Sequence, residues 1–187
     1  MKPDSQTPMV ANLIRLSAQT HSNGTESAIW NALERTLAQQ FGYSLFTILV
    51  FSPGHGIKRI HSTNVDLHPL GARAPVLSSH GGEDGDHSAS LPPLRDAWIQ
   101  QVVVDGVTWC GSTREDLKMV FEDWEVLWHA RLGSVLNIPI RLGGQTIGSL
   151  NLLDDEHAYD AADLEIGILV AQIVAFYIHQ VGERIVI

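Results

Sequence analysis

The stretch that decides the fold is GSVLNIPIRLGGQTIGSLNLLDDEHAYDAADLEIGILVAQIVAFYI, residues 133 to 178. Its first half contains two apolar segments, SVLNIPIRL and QTIGSLNLL, joined across Gly143 and Gly144. Two strand-forming segments around a glycine turn predict a β-hairpin. Alternate side chains of the first segment share one face, namely Leu136, Ile138 and Ile140. The other face carries Val135, Asn137, Pro139 and Arg141.

The second half of this stretch predicts a long final helix. Asp160 opens it and Asp163 follows in the first turn, where negative charge suits the positive end of the helix dipole, and the helix runs to about Val181. Its apolar residues cover more than one stripe: Ile166, Leu169, Val170, Ile173, Phe176 and Tyr177. One sheet face needs fewer, so we expect a second contact, most simply with a second copy of the chain.

Upstream of this stretch, residues 112 to 133 predict one helix. Ser112 and Glu115 have capping-box spacing, and Gly133 supplies the stop. The helical period places one set of side chains on a common face, which predicts that the tryptophans point inward. That set is Leu117, Phe121, Trp124 and Trp128.

The amino-terminal half predicts an extension, a helix and a second hairpin. Residues 1–23 form a partly helical extension, and a helix runs from Thr25 to about Gly42. Residues 43–51 and 57–64 form a hairpin around SPGHG. From Val65 to Pro93 the chain is rich in Gly, Ser, Asp and His, as in a long loop or lid. A helix through LRDAWIQQVV and a short strand VTWC follow.

Composition excludes several classes of protein. The 187 residues fit one domain of 24–187 plus the extension, with no room for a second output domain. The net charge of -9 repels a phosphate backbone and argues against nucleic acid as a partner. The only cysteine, Cys110, can close no intramolecular disulfide. No signal peptide is visible, and the apolar run 167–178 is shorter than a membrane span. We therefore expect a cytoplasmic protein that is not bound to a membrane.

The order helix, hairpin, excursion, helix, strand, helix, hairpin, helix resembles a GAF domain over about residues 24–181. It is similar in particular to small stand-alone bacterial GAF proteins. Matches to their outline are Thr63, Asn64, Pro69, Gly71, Arg73, Phe121, Asp123, Glu125 and Gly133 to Asn137. His68 and Ala72 stand where those proteins have tyrosine and a second glycine.

The resemblance implies an α+β, PAS-like fold with a central antiparallel sheet flanked by helices. The first and last helices would cover one face and often mediate homodimerisation. A small-molecule pocket would lie on the other face, roofed by the excursion and by the helix that carries Trp124 and Trp128. The resemblance identifies neither the ligand nor a cofactor.

Candidate ligand-binding side chains follow from this picture, each with a plainer alternative. Trp109, Trp124 and Trp128 could stack on a planar ligand, although aromatic residues at helical spacing more often pack in a core. Arg73 could hold a carboxylate. Neutral hydrogen bonds could come from Ser62, Asn64, Asn137, Ser149 and Asn151, or these could simply face water. Cys110 could contact the ligand, but a free cysteine is usually a small, inert hydrophobe.

Two functions remain open from the sequence. The first is a dimeric sensor that binds a small organic ligand and signals through an effector protein. The second is a stand-alone enzyme in which Asp123, Glu125 or His129 acts as acid or base. A lone thiol argues against the activity of GAF-type free-methionine sulfoxide reductases, which use several cysteines. The nine histidines form no compact metal motif, so we expect no metal site.

Overall fold

The computed structural model describes residues 6–22, 25–52, 56–74 and 96–186. The strands are β1 Leu45–Ser52, β2 Gly56–Ser62, β3 Arg73–Ala74, β4 Trp109–Gly111, β5 Ser134–Leu142 and β6 Gln145–Asp154. They form one antiparallel sheet in the order β3-β2-β1-β6-β5-β4. Helices flank this sheet, which confirms the predicted α+β class.

The helices are α1 Gln6–His21, α2 Glu26–Gln40, α3 Asp96–Trp98, α4 Arg114–Val120, α5 Trp124–His129 and α6 Leu164–Val186. The short α3 continues directly into a π-helical segment, Ile99–Val104. Thr25 caps α2 by accepting from the Ala28 amide, as its position predicts. Gly143 and Gly144 have φ of 59° and 83°, so the β5–β6 turn requires the left-handed region that glycine tolerates.

The two faces of the sheet have different partners. One face packs against α2 and α6 and forms the largest core, with α1 lying against these two helices and burying Leu16 completely. Leu136, Ile138 and Ile140 point into this core, which confirms the predicted face of β5. The opposite face packs against α3, α4 and α5 through two smaller apolar clusters. This division leaves room between the clusters on the second face.

The single helix predicted for residues 112–133 is wrong, because the chain forms two helices. Phe121 is extended, with ψ of 130°, so the helical phase is reset between α4 and α5. The buried side chains of the two helices are consequently Leu117, Val120 and Leu127, and the predicted stripe does not continue through the tryptophans. The second helix ends at His129, before Arg131 takes a φ of 62°, so Gly133 is not the stop.

Two predicted helix starts are displaced. The capping box of α4 is formed by Thr113 and Asp116, one residue beyond Ser112 and Glu115. The two overlapping pairs have the same spacing, so spacing alone could not separate them. The final helix begins after Asp163, whose carboxylate accepts from the Ile166 amide, and not at Asp160.

Two further features concern predicted segments. Residues 75–93 of the predicted excursion lie outside the described residues. The segment Leu164–Arg184 is long and apolar enough to cross a membrane by length and composition alone. It lies in α6, whose inner face is buried against the sheet through Val170, Val174 and Ile178. Burial of that face accounts for part of the apolar composition, as in the core helix of a soluble protein, but not for the exposed Ile168, Leu169 and Phe176.

Candidate functional site

A cavity of about 50 Å³ lies on the sheet face opposite α2 and α6. The strands β1, β2, β5 and β6 provide its floor, and α3, α5 and two connecting segments provide its walls. Its lining consists of Thr47, Leu49, Arg59, His68, Trp98, Phe121, Asp123, Leu127, Val135, Asn137, Asn151 and Leu153. A water needs roughly 10–15 Å³, so the cavity has room for only a few small groups.

A hydrogen-bonded network fixes the floor of the cavity. The Trp98 indole donates to Asn137 Oδ1 at 2.9 Å, and Asn137 Nδ2 donates to Asn151 Oδ1 at 2.7 Å. Ser149 donates to the same Asn151 oxygen at 2.9 Å, while Asn151 Nδ2 donates to the backbone oxygen of Thr47 at 3.4 Å. All five residues are buried. Because each amide is held by several partners, the floor is rigid.

Arg59 brings a buried positive charge to the cavity. Its side chain is 7% exposed, and its Nε has no hydrogen-bond partner. Its Nη1 donates to the Pro69 backbone oxygen, but at 3.5 Å. Burial lowers the pKa of Arg59 to about 10, while the charge of Asp123 acts in the opposite direction. The guanidinium therefore remains cationic at neutral pH with much of its hydrogen-bonding capacity unused.

A β-bulge places Arg59 on this face. In the pairing of β1 with β2, Ile48 lies opposite His61 and Leu49 opposite Arg59, so Ile60 is the extra residue. Arg59 consequently shares the cavity face with Leu49. His61, two residues away, stacks instead on Trp30 beneath α2.

His68 lies beside Arg59 as a buried neutral ring. It is 8% exposed, and neither ring nitrogen has a hydrogen-bond partner. Burial first, and then the charge of Arg59, lowers the pKa of His68 to about 3. At neutral pH the ring therefore offers one donor and one acceptor.

Asp123 supplies the negative charge. It lies between α4 and α5, is half-buried, and forms no side-chain cap for α5. Burial raises its pKa, while its own backbone amide and the charge of Arg59 act in the opposite direction. No carboxylate oxygen of a described residue lies within 4.0 Å of an Arg59 nitrogen. The two charges therefore interact electrostatically across the cavity without forming an ion pair.

The remaining lining is apolar. It consists of Leu49, Phe121, Leu127, Val135 and Leu153. These side chains belong to, or pack against, the two clusters on this face of the sheet. Apolar walls with a few convergent polar groups are typical of sites for small organic molecules.

The structure brings some predicted site residues together. Asn137 and Asn151 line the cavity from neighbouring strands, and Ser149 supports Asn151 in the same network. Asp123 also lines the cavity. Glu125 and His129, which were grouped with Asp123 as acid–base candidates, are exposed on α5.

The predicted inward orientation of Trp124 and Trp128 is wrong, and neither lines the cavity. Trp128 is 41% exposed, and the two ring centres lie 5.7 Å apart. The Arg114 guanidinium lies 4.1 Å from the Trp128 ring centre, and the Lys118 ammonium lies 4.8 Å from that of Trp124. Each indole therefore makes a cation–π contact away from the cavity, while Leu127 occupies the inner face of α5.

The other predicted residues whose side chains the structure describes lie outside the cavity lining. Trp109 packs edge-on against Phe121 at 5.7 Å, and Cys110 is exposed, with burial of part of the side chain raising the pKa of its thiol. Ser62 and Asn64 hydrogen bond to each other after β2. Arg73 pairs with Lys58 along the backbone of β3, and its side chain lies outside the described part of the structure.

Arg59, His68 and Trp98 line the cavity, although the sequence did not predict them as site residues. For Arg59 a signal existed, because alternation from the buried Ile57 places it on the same face. Trp98 lies in the helix that the sequence predicts through LRDAWIQQVV, but its indole partner on β5 is 39 residues away in sequence. Within the described ranges, no group of three or more His, Cys, Asp or Glu residues could hold a metal ion.

Comparisons with known proteins agree with this fold. A family model described as GAF domain matches residues 26–179. The chain is similar to the GAF domain of a phosphoenolpyruvate-protein phosphotransferase from Coxiella burnetii, with 13% identity, a TM-score of 0.63, and coverage of 98% of this chain and 100% of that one.

Two further solved structures are similar. One is the GAF domain of a two-component sensor histidine kinase from Bacillus halodurans, at 17% identity and a TM-score of 0.56, covering 84% of this chain and 95% of that one. The other is a type II free methionine-R-sulfoxide reductase from Thermoplasma acidophilum, at 14% identity and a TM-score of 0.53, covering 90% and 95% respectively. No curated protein matches the sequence. At such identities the structural likeness shows the fold alone.

Proposed function

Since the chain belongs to the GAF domain family, we propose that it is a sensory domain whose cavity binds a small organic carboxylate against Arg59. GAF folds occur both in sensor kinases and in an enzyme, so the family alone does not choose between these roles. The site itself supports the proposal, because its polar groups are buried, convergent and incompletely partnered.

The observation that carries the proposal is the buried guanidinium of Arg59. Among the described residues its Nε has no partner, and the hydrogen bond from its Nη1 to the Pro69 backbone oxygen is long, at 3.5 Å. A buried charge without good partners costs several kcal/mol. A ligand carboxylate would accept the free donors and neutralise the charge, and the planar guanidinium is suited to a carboxylate.

Titration of short carboxylates tests the proposal. Acetate, glycolate, propanoate, lactate, glycine and alanine are added in turn, and thermal unfolding and calorimetry measure binding. At about 100 times its Kd, a true ligand should stabilise the protein by roughly 2.7 kcal/mol. Arg59→Met should weaken binding of that ligand by at least about tenfold, because the carboxylate loses its partner.

Lys118→Met is the matched control, since it removes a cation outside the cavity, where Lys118 lies over Trp124. It should leave the Kd unchanged. Binding that survives Arg59→Met at full strength would contradict the proposal, as would the absence of stabilisation by every compound in the panel.

The enzyme alternative now rests on one of its three residues. Asp123 lines the cavity and its burial raises the pKa of its carboxyl, so it could exchange a proton with a ligand there. Glu125 and His129 are exposed on α5. Cys110 is exposed and does not line the cavity, so it gives no support to thiol chemistry at this site.

The proposed output requires a second protein surface. Among the exposed apolar residues of α6 are Ile168, Leu169 and Phe176, and α1 exposes Ile14. We propose that these helices join two copies of the chain and that an effector protein responds to the dimer. A cytoplasmic location belongs to the same proposal.

A further inference from the structure

The cavity contains two opposite charges that do not satisfy each other. Among the described residues, the Nε of the almost fully buried Arg59 has no hydrogen-bond partner, and the Asp123 carboxylate interacts with its own backbone amide and, through space, with Arg59. Direct pairing within 4.0 Å is not formed between these two described residues. Because the two opposite charges are held apart in one cavity, a ligand that carries both a negative and a positive group could bind between them.

The rest of the lining restricts what that occupant can be. The amides of Asn137 and Asn151 are engaged with each other, and Asn137 also accepts from Trp98. His68 is buried, neutral and unpartnered, so it can hydrogen bond but supplies no charge. The volume of about 50 Å³ admits only a compact molecule.

We propose that the cavity selects a short zwitterion, an amino carboxylate whose carboxylate binds Arg59 and whose ammonium binds Asp123. This inference rests on the proposed function and names the class of ligand for the same site. Asp123 is then a specificity-determining residue, because it distinguishes ligands that share a carboxylate but differ at the neighbouring group.

Charge balance separates this ligand class from simpler ones. A plain carboxylate would pair with Arg59 but leave its own negative charge near that of Asp123, with no positive group between them. An amine without a carboxylate would pair with Asp123 and leave Arg59 unpartnered. A zwitterion gives both side chains a partner and adds no net charge to a poorly solvated site.

Matched ligands test the inference. Glycine carries both charged groups, acetate lacks the ammonium, glycolate replaces it by a hydroxyl, and ethylamine lacks the carboxylate. Alanine, lactate and propanoate repeat the comparison with one more carbon. Calorimetry on the full chain should give a Kd for glycine or alanine at least about tenfold lower than for the matched compounds.

Asp123→Asn preserves the shape of the side chain and removes its charge. It should weaken binding of the amino acid by at least about tenfold while changing the affinity for the matched hydroxy acid or simple acid much less. Glu125→Gln, an exposed carboxylate on α5, is the matched control and should leave every Kd unchanged. Circular dichroism and thermal unfolding verify that both variants fold.

The outcomes separate the two proposals. Acetate or propanoate binding as tightly as the amino acids would overturn the zwitterion inference and leave the carboxylate proposal standing. Retention of amino acid preference in Asp123→Asn would also overturn it. If no compound of any class binds the wild type, both proposals fail.

Discussion

At the scale of single residues, the cavity is built from polar groups that the fold buries without completing their hydrogen bonds. Arg59 retains a free Nε, and both ring nitrogens of His68 lack partners. Each unpartnered buried group lowers stability by roughly 1–3 kcal/mol. In contrast, Asn137 and Asn151 are engaged with their neighbours. Thr108, Arg114 and Thr146 also bury an unpartnered atom outside the cavity, but Arg59 and His68 bring three such atoms to the one cavity, as expected of a site that a ligand completes.

The buried His68 ring predicts that the stability of the protein decreases as the pH is lowered. Its pKa is lowered from 6.5 to about 3, so below pH 6.5 the unfolded chain binds a proton that the folded protein does not accept until about pH 3. Stability must therefore fall as the pH is lowered through this window. Between about pH 6 and about pH 4, this one group should cost roughly 2–3 kcal/mol.

The comparison of wild type with His68→Gln isolates this effect. Urea unfolding at several pH values should show the variant gaining relative stability as the pH falls, by the amount given above. The same substitution at the exposed His129 controls for the chemistry of the replacement. A stability difference between wild type and His68→Gln that stays constant from about pH 6 to about pH 4 would contradict the burial of a neutral His68.

Sequence alternation predicts some of these residues and not others. Asn137 lies on the face opposite to Leu136 and Ile138, as the period of two requires, and it is in the cavity. Between Arg59 and His61 the period fails, because the bulge at Ile60 sends them to opposite faces. A bulge has no signature in this sequence, so pattern alone could not assign both residues.

At the scale of elements, the break between α4 and α5 decides what closes the cavity. The continuous helix predicted from the sequence would place the tryptophans inward. Extended backbone at Phe121 resets the phase, so Leu127 and Asp123 reach the cavity while Trp128 is exposed. Helical periodicity is reliable only within one helix, and no Pro or Gly in residues 121–123 marks the break. The β5–β6 hairpin was predictable from its glycine turn, whereas the bulge at Ile147, which shifts the register two pairs beyond the turn, was not.

The close contact of β1 with β6 predicts that replacing Gly148 by a larger residue lowers the stability of the protein. A Cβ at this position would collide with the backbone oxygen of Leu49, and the next strand cannot move without disturbing the floor of the cavity. Gly148→Ala should therefore destabilise the protein by about 1–3 kcal/mol. A lower urea midpoint with an unchanged slope would measure this loss.

The same substitution at Gly182 is a matched control, for which the expected change in stability has the opposite sign. Gly182 lies within α6, and the nearest atom to an added Cβ is Val50 Cγ1 at 4.0 Å. Alanine has the higher helix propensity, so Gly182→Ala should stabilise the protein by up to about 1 kcal/mol. Equal urea midpoints for the two variants would show that the β1–β6 contact is looser than the structure indicates.

At the scale of the whole molecule, the large apolar core and the cavity lie on opposite faces of the sheet. The face under α2 and α6 holds the large apolar core, whereas the opposite face holds the smaller clusters and the cavity between them. A ligand could therefore change the second face without disrupting the first. Since α6 packs on β1, β5 and β6, it lies directly behind the strands that form the cavity floor. A change in those strands would have a short route to the outer surface of α6.

The exposed apolar residues on the outer surface of α6 lead to the last prediction, which is that two copies of the chain form a dimer. Ile168, Leu169 and Phe176 are 43%, 44% and 54% exposed, and their spacing places them on one side of α6. Gln172 lies among these apolar residues, and Glu165 and Glu183 lie on the same side of α6 nearer its ends. The apolar patch in the middle can pair with that of a second copy about a two-fold axis, and such pairing is the commonest form of self-association. We expect a mass in solution of twice the 20.5 kDa of one chain. Phe176→Gln should shift the mass toward the monomer in light scattering, because it replaces an apolar side chain of α6 that is 54% exposed. Val126→Gln, which alters an apolar residue 50% exposed on α5, should leave the dimer intact. A wild-type mass of one chain at every concentration would contradict the dimer, and a dimer that resists Phe176→Gln would place its interface elsewhere.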